Sequence, residues 1–267
     1  MDAKKVFEKL VQGIKNYFAE AGCKTAVLGA SGGIDSAVVA VLAQQALGPE
    51  RVFLAIMPSK YSSPDSARLA TNLAENLQCN IHLFPIQRIL NTYNDRLSPL
   101  FGKVEETLVE ENLQARIRAN LIMACTNRFN CLALATGNKS EAMVGYCTLF
   151  GDTVGALAPI GELYKTEVYE LAHYINRDEE IIPIEIIERP PSAELSPGQK
   201  DTDTLPPYDV LDPILKALEL RKNSFIEFEL FAKANNFPVD LVRNICHTIE
   251  KNKFKARYYA PAIKWRE

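Results

Sequence analysis

The chain has 267 residues with 30 basic and 33 acidic side chains, so its formal net charge is -3 at pH 7. This balance, with Lys and Arg spread along the chain, gives no electrostatic case for binding nucleic acid or an anionic membrane surface. No apolar run approaches the length of a membrane span and the N-terminus does not read as a signal peptide, so we expect a cytoplasmic protein.

Strand-like and helical patterns alternate through the first half of the chain. Apolar side chains recur every three or four residues over 3–20, which predicts an amphipathic helix. Strands are predicted at 26–28, 51–58, 80–84 and 131–135. The helices predicted between them are 36–47, 64–77, 86–93 and 105–130. This alternation predicts an α/β fold, a doubly wound parallel sheet with flanking helices, and places the ligand beyond the carboxyl ends of the strands.

The isolated histidines and cysteines are interpreted as structural. His82 alternates with apolar neighbours in a predicted strand, so we expect a buried core histidine there. Cys125 and Cys131 lie in apolar surroundings and are expected to be small core residues. The six cysteines form no CxxC pair and the three histidines show no metal-ligand spacing, so no structural zinc site is predicted.

The second half of the chain is less regular. A helix is predicted at 165–174. Residues 189–207 are rich in Pro, Ser and Asp, a composition typical of an active-site lid or a disordered linker. Three short helices follow at about 208–220, 223–235 and 238–251, and a tail with basic and aromatic residues ends the chain. We expect one domain over 1–267, with a core of about 22–180, a lid at about 189–207 and a helical C-terminal part at 208–267.

A loop rich in small residues separates the first predicted strand from the second predicted helix. It consists of Gly29, Ala30, Ser31, Gly32, Gly33, Ile34, Asp35 and Ser36. Glycines let backbone N–H groups approach phosphate oxygens, and a helix N-terminus adds free donors and partial positive charge. Asp35 supplies a carboxylate suited to Mg²⁺. The loop is therefore interpreted as a nucleotide-phosphate site, although a tight turn that binds nothing is the alternative.

Neither of the two commonest phosphate-loop patterns is present, since no Lys follows the glycines and the glycines are adjacent. The stretch Ser-Gly-Gly-Ile-Asp-Ser at 31–36 instead resembles the loop of the N-type ATP pyrophosphatases, which transfer the AMP of ATP to an oxygen of their substrate. Further stretches narrow the resemblance. They are 136–141, 150–152, 164–166, 189–195 and 205–212. Together they resemble NAD synthetase over nearly the whole chain.

The resemblance implies an activity and a set of site residues. NAD synthetases amidate deamido-NAD with ammonia and ATP, release AMP and pyrophosphate, and work as homodimers. Residues 29–36, Thr136, Lys165 and Ser192 match positions that contact ATP, and Asp35 and Glu141 match the Mg²⁺ carboxylates. Arg116 and Lys255 match contacts to deamido-NAD. Asp152 and Lys165 match catalytic positions, where Asp152 would bind ammonium or take its proton.

Each of these residues also has a purely structural interpretation. Lys165 suits a surface lysine, Glu141 the start of a solvated helix, and Ser192 a loop. Arg116 and Arg118 suit surface charges on a long helix, and only the resemblance prefers Arg116.

The nitrogen source is the part of the function with the most alternatives. Leu149 and Ala156 stand where ammonia-dependent members have Lys and Asp, and the stretches 136–141 and 189–195 resemble the synthetase half of glutamine-dependent members more closely. The phosphate loop begins near residue 29, which leaves room for one helix and no amidase domain, so free ammonia is expected. A separately encoded amidase is the alternative.

Functions of other classes are also open at this point. The chain could be another AMP-forming ligase, a tRNA thiolase or a nucleotide-binding module without enzyme activity. The acidic chain and the unpaired cysteines count against the thiolase.

Overall fold

Parallel strands form the centre of the fold in the computed structural model, which describes residues 1–220 and 228–266. Within those residues the strands are β1 (Ala26–Gly29), β2 (Val52–Ile56), β3 (Asn80–Leu83) and β4 (Leu132–Ala133). They lie in the order β3-β2-β1-β4, and every neighbouring pair is parallel. The predicted parallel α/β architecture is confirmed.

Helices connect and cover these strands. In chain order they are α1 (Ala3–Glu20), α2 (Ile34–Leu47), α3 (Pro64–Leu77), α4 (Gln87–Phe101), α5 (Leu108–Phe129), α6 (Lys139–Val144), α7 (Lys165–Ile175), α8 (Ile184–Glu188), α9 (Tyr208–Leu220), α10 (Phe228–Ala234) and α11 (Val239–Asn252). None of the helices in the described ranges combines the length and the hydropathy that crossing a membrane would require.

Both faces of the sheet are covered, as a doubly wound fold requires. Ala26 and Leu28 pack on one face in a core shared with α1, α2, α3 and α7. Val27 points to the other face, where α4 and α5 form a second core. Because successive side chains of a strand point to opposite faces, a strand buried on both sides reads as a continuous apolar run. This explains why β1 and β2 were recognisable without polar alternation.

The position of the ligand cavity follows from the strand order. The chain moves outward from β1 to β2 and β3, then returns to place β4 on the other side of β1. Connections that leave β1 and β4 therefore diverge, and a crevice opens beyond the carboxyl ends of these strands. The loops at 29–36, 57–63 and 134–138 all lie at this edge.

Several predicted boundaries differ from the structure. Helix α4 continues to Phe101, beyond the predicted end at residue 93, and contains Pro99 in its last turn. Proline has no N–H to donate to the carbonyl four residues earlier, and the helix ends two residues later. Helix α5 begins at Leu108, three residues later than predicted, since Glu106 adopts a φ of 57°. Of the helix predicted over 223–235, residues 223–227 lie outside the described residues, and α10 covers 228–234.

The interpretation of His82 as a core histidine is wrong. Strand β3 is the edge of the sheet and is largely exposed, and His82 itself is exposed. Its ring stacks on Phe53 with the ring centroids 5.9 Å apart. Edge strands are covered less completely than central ones, so alternation in β3 does not place His82 in a core. Cys131 is buried as expected, 5% exposed, and Cys125 packs against the same core.

The C-terminal helices form a separate apolar core with α6 and the start of α7. Its buried residues include Tyr164, Leu211 and Phe231. After α11 the chain crosses back along the body of the protein, and Ala262 pairs with Ala158 in an isolated parallel bridge. This return path brings the segment around Lys255 to the edge of the ligand crevice.

Candidate active site

A cavity of about 940 Å³ lies at the carboxyl end of the sheet. Its walls are the loop after β1, the ends of β2 and β4, helix α5, the segment 144–154 and the segment 189–206. A cavity of this size is at the upper end of the range for small-molecule sites and suits a ligand as large as a nucleotide. Of the residues predicted for the site, those that line it are Gly29, Ala30, Ser31, Gly33, Ile34, Asp35, Ser36, Thr136, Glu141, Asp152, Lys165, Ser192 and Lys255.

The loop after β1 is held by hydrogen bonds between its own residues. The Ser31 N–H donates to Ser36 Oγ (3.2 Å), the Gly33 N–H donates to Ser31 Oγ (3.2 Å), and Ser36 Oγ donates to the Gly33 carbonyl (3.0 Å). Helix α2 begins directly after this turn, and no side chain caps its N-terminus. The first N–H groups of α2 are thus free to bind an anion, which the positive end of the helix dipole would favour.

Gly32 faces away from the cavity and packs against helix α3. Its φ is +76°, and a Cβ at this position would overlap the Ser66 carbonyl oxygen and lie 2.8 Å from Ser66 Cα. We therefore expect Gly32→Ala to lower the free energy of unfolding by about 2–5 kcal/mol, from backbone strain plus overpacking. Urea denaturation measures this loss, and a thermal shift with ATP measures the effect on binding.

Gly22→Ala is the matched control for that change. Gly22 has a similar φ of +64°, but nothing lies within 4 Å of its Cβ position. Its substitution should cost only the backbone strain, about 1–2 kcal/mol. Equal losses in the two variants would show that the contact between the loop and α3 is unimportant.

Charged side chains meet beside the phosphate loop. The Lys165 ammonium forms ion pairs with Asp35 and with Glu141 Oε1 (3.5 Å), and Asn138 Nδ2 donates to Asp35 Oδ1 (3.2 Å). Burial lowers the pKa of Lys165, but the two carboxylates outweigh burial and raise it above its ordinary value. Lys165 is 2% exposed, so it is not the surface lysine that its sequence position allowed.

The surroundings of Glu141 favour the uncharged form of its carboxyl, whereas those of Lys165 favour the charged ammonium. Burial and the negative charge of Asp35 raise the pKa of its carboxyl to about 8, although Lys165 acts in the opposite direction. Two carboxylates thus share one ammonium in a region with little solvent, and a bound cation would relieve the excess negative charge. In residues 1–220 and 228–266, no three His, Cys, Asp or Glu side chains form a ready-made metal-binding group.

Asp201 adds to this negative charge and was missed by the sequence analysis. It is 4% exposed, lines the cavity and accepts hydrogen bonds from Tyr208 (2.9 Å) and Tyr146 (3.3 Å). Burial raises the pKa of its carboxyl, while Lys165 acts to lower it. The only sequence signal was its place in the Pro-rich segment 189–207.

Asp212 positions the backbone around Lys165 through hydrogen bonds to neighbouring residues. Asp212 is fully buried and accepts from the Thr166 N–H (2.8 Å) and from Ser140 Oγ. Ser140 Oγ in turn accepts from the Lys165 N–H (2.9 Å). These bonds join α9, α6 and the first turn of α7, which explains why the stretches 136–141, 164–166 and 205–212 occur together.

Asp152 lies in another part of the cavity. It accepts from the Thr148 N–H (2.7 Å). Solvent reaches the carboxyl through the cavity, but the surrounding protein removes enough hydration to raise its pKa to about 6. Lys255 lines the same region and donates to the carbonyls of Gly145 (2.7 Å) and Cys147 (2.8 Å).

The two arginines of α5 have different positions. Arg116 is exposed, does not line the cavity, and donates to the Leu149 carbonyl (3.2 Å). Arg118 lines the cavity and donates from Nε to the Met57 carbonyl (2.9 Å). Burial lowers the pKa of Arg118 to about 10, with the charge of Glu194 opposing. The resemblance favoured Arg116, which stays a prediction, and the structure adds Arg118.

Thr136 and Ser192 line the cavity from different sides. The Ser192 hydroxyl also organises its own loop, because it donates to the Gln199 carbonyl and accepts from the Glu194 N–H (3.1 Å). Its structural interpretation and its position in the site are therefore compatible.

Comparison of the sequence and the structure with known proteins points to one family. A model of the family described as NAD synthase matches residues 6–259. A glutamine-dependent NAD(+) synthetase of Synechocystis is 48% identical over 264 residues, which are 99% of this chain and 47% of that protein. An NH3-dependent NAD synthetase from Campylobacter jejuni has a TM-score of 0.75 at 31% identity, with 96% of both chains covered.

A structure of NMN synthetase from Francisella tularensis has a TM-score of 0.79 at 26% identity, again with 96% of both chains covered. The chain spans about half the length of the curated relatives it matches, 47% and 45% for two of them.

Proposed function

The chain belongs to the NAD synthase family, and on this premise we propose that it converts deamido-NAD to NAD with ATP and ammonia, releasing AMP and pyrophosphate. One observation carries the proposal. A single cavity of about 940 Å³ is lined by the loop at 29–36, by Lys165 with its partners Asp35 and Glu141, and by Asp152. These are the three parts that adenylation followed by amidation needs.

The first step would be formation of an adenylate. A carboxylate oxygen of deamido-NAD attacks the α-phosphorus of ATP, and the bond from that phosphorus to the pyrophosphate oxygen breaks. The N–H groups at the start of α2 and the hydroxyl of Ser31 would bind the phosphates. The Ser36 hydroxyl would join them after releasing the Gly33 carbonyl. Lys165 stays protonated because its pKa is raised, so it would supply positive charge throughout the step.

The carboxylates of Asp35 and Glu141 fit a magnesium ion. Mg²⁺ in nucleotide sites is bound through one or two carboxylates and the substrate phosphates, with water completing its shell. Burial raises the pKa of Glu141, and the negative charge of Asp35 raises it further, so a cation held between the two carboxylates would favour their ionised forms. When bound, Mg²⁺ neutralises charge on the phosphates.

The second step would be amidation. The nitrogen of ammonia attacks the carbonyl carbon of the adenylate, and the bond from that carbon to the phosphate oxygen breaks, so AMP leaves. A proton then passes from nitrogen to a base. Asp152 is the candidate base, since its raised pKa of about 6 leaves it ionised at neutral pH and more basic than an ordinary carboxylate.

A pH profile tests this role of Asp152. At saturating ATP and deamido-NAD, the rate constant for free NH3 should fall about tenfold from pH 7 to pH 5, as Asp152 takes up a proton. Asp152→Asn should lower this constant at pH 7 by about 100-fold or more and remove the fall. The control is Asp240→Asn, which alters an exposed carboxylate paired with Arg243. An unchanged profile in Asp152→Asn would exclude Asp152 as the base.

Product analysis tests the function as a whole. Purified chain with ATP, Mg²⁺, ammonium and deamido-NAD should give NAD, AMP and pyrophosphate in equal amounts. The acid form of NMN should be offered separately, because an NMN synthetase shares the fold at 26% identity. Faster turnover of that mononucleotide would replace our choice of substrate, and release of ADP would exclude the adenylate mechanism.

Free ammonia is the nitrogen source that we propose for this 267-residue chain. Supporting this, the likeness to an NH3-dependent synthetase covers 96% of both chains. The curated relatives are named glutamine-dependent, so ammonia delivered by an amidase is the alternative.

We also propose a homodimer, with Arg116 and Lys255 among the contacts to deamido-NAD. Helix α5 exposes large apolar side chains at Leu108, Met123 and Phe129, and such surface often marks an interface. Sedimentation at micromolar concentration should therefore give the mass of two chains. The mass of one chain would contradict the proposal.

A further inference from the structure

Two charged residues of the segment 189–195 line the cavity and form an ion pair beside the loop at 29–36. Arg189 Nη2 lies 2.7 Å from Glu194 Oε1. The other terminal nitrogen, Nη1, donates to Ser66 Oγ (3.0 Å) and to the Gly32 carbonyl (3.3 Å). One guanidinium thus joins the lid segment, the first turn of α3 and the phosphate loop.

Glu194 holds the pair in place through several contacts. Its carboxylate accepts from Ser66 Oγ (2.7 Å) and from the Ser63 N–H (3.2 Å), in addition to Arg189. Its backbone has a φ of 50°, a conformation that costs a non-glycine residue about 1–2 kcal/mol. The ion pair is also half-buried, with side-chain exposures of 25% and 19%, so solvent screens it less than a surface pair.

The contact with Gly32 bears on the geometry of the anion site. The Gly32 carbonyl and the Gly33 N–H belong to one planar trans peptide, so they point in opposite directions. In the structure the carbonyl points to Arg189 and the N–H to Ser31 Oγ (3.2 Å). Because this peptide lies between two glycines, no Cβ opposes its rotation. Rotated, it would turn a carbonyl oxygen toward the ligand phosphates and repel them.

We propose that Arg189 and Glu194 are positioning residues for the phosphate loop. Glu194 fixes the guanidinium, and the guanidinium keeps the Gly32 carbonyl turned away from the bound phosphates. The inference rests on the proposed function in that it takes ATP as the ligand.

The test measures ATP binding by calorimetry, with Mg²⁺ and without deamido-NAD, in Arg189→Gln, Arg189→Lys and Glu194→Gln. The two neutral variants should each weaken ATP binding about 10- to 100-fold, the effect of a charge-assisted hydrogen bond. Arg189→Lys should be intermediate, because an ammonium lacks the planar fork that reaches three acceptors. The KM for deamido-NAD should change far less than the KM for ATP.

A nearby ion pair provides the matched control. Arg68 on α3 pairs with Glu185 on α8 (2.9 Å), and both side chains are about half exposed. Arg68→Gln should therefore leave ATP binding unchanged. The same variant is the control for proteolysis: it shows how far the cleavage rate of the segment 189–207 changes when an ion pair that does not contact the phosphate loop is lost.

Glu194→Gln decides between positioning and direct contact. If Arg189 bound the phosphates itself, freeing it from Glu194 would leave ATP binding unchanged or tighter, and that result would overturn the inference. Normal ATP affinity with faster cleavage of the segment 189–207 would also overturn it, because the pair would then only fasten the lid. The parent chain is judged separately: if it binds ATP but forms no NAD, the proposed function fails and the inference still stands on its own variants.

Discussion

Asp35→Asn is expected to lower the rate of adenylate formation by about 100- to 1000-fold at saturating ATP and deamido-NAD. Asp35 pairs with Lys165 and stands in the first turn of α2, where the ligand phosphates would lie. An amide cannot supply the negative charge that a hard cation needs from its ligand. Glu141→Gln should show a similar loss. Pyrophosphate release at several Mg²⁺ concentrations measures the effect.

These losses should not come from unfolding. The pKa of the Glu141 carboxyl is raised to about 8 in the folded chain, above its ordinary value. The folded chain therefore keeps a proton that the unfolded chain loses, and the free energy of unfolding falls as the pH rises toward 8. A neutral Gln removes that loss. The melting temperature of Glu141→Gln at pH 8, without Mg²⁺, should therefore equal or exceed that of the parent.

Asp209→Asn is the matched control for Asp35→Asn. Asp209 also lies in the first turn of a helix, α9, but it is exposed and does not line the cavity. Its substitution should leave turnover and the Mg²⁺ requirement unchanged. If Asp35→Asn behaves in the same way as this control, Asp35 is not part of the site.

With glutamine as the sole nitrogen source, we expect the 267-residue chain to form no NAD above background, whereas ammonium supports turnover. Releasing ammonia from glutamine with a thiol requires a thiolate. Burial raises the pKa of five of the six cysteine thiols, namely Cys79, Cys125, Cys131, Cys147 and Cys246. Cys147 lines the cavity and accepts a hydrogen bond from the Tyr259 hydroxyl (2.8 Å). This bond acts to lower the pKa of the thiol, but burial outweighs it. These thiols are poorly suited to attack an amide.

The assay follows NAD through its reduction by an added dehydrogenase. Glutamine pretreated with glutaminase is the positive control, because it shows that released ammonia is used and detected. NAD formation from untreated glutamine, in a preparation without glutaminase activity, would show that the proposed nitrogen source is wrong. NAD formation only after addition of an amidase would leave ammonia as the species that reacts.

The sequence by itself determined the parallel α/β fold and the position of the glycine-rich loop at 29–36 between β1 and α2. Both depend on residues that are neighbours in the sequence. The apolar run of β1, the adjacent glycines and the apolar helix that follows occupy one continuous stretch. A strand buried on both faces has no polar alternation, and a turn that must admit an anion needs glycine, so each feature leaves a local pattern. The same local logic misjudged His82, because burial of an edge strand depends on what covers it.

Only the tertiary structure decided which charged residues share the cavity. Lys165 meets Asp35 across 130 positions of sequence, and Asp201 reaches the same region from a segment without periodicity. Arg118 lines the cavity and Arg116 does not. Residues two apart on a helix point to nearly opposite sides, so only the packing of α5 decides which of the two arginines borders the site. Such contacts depend on how distant elements pack, and the sheet and the segment 189–207 decide which face of α5 borders the cavity. No local pattern encodes that arrangement.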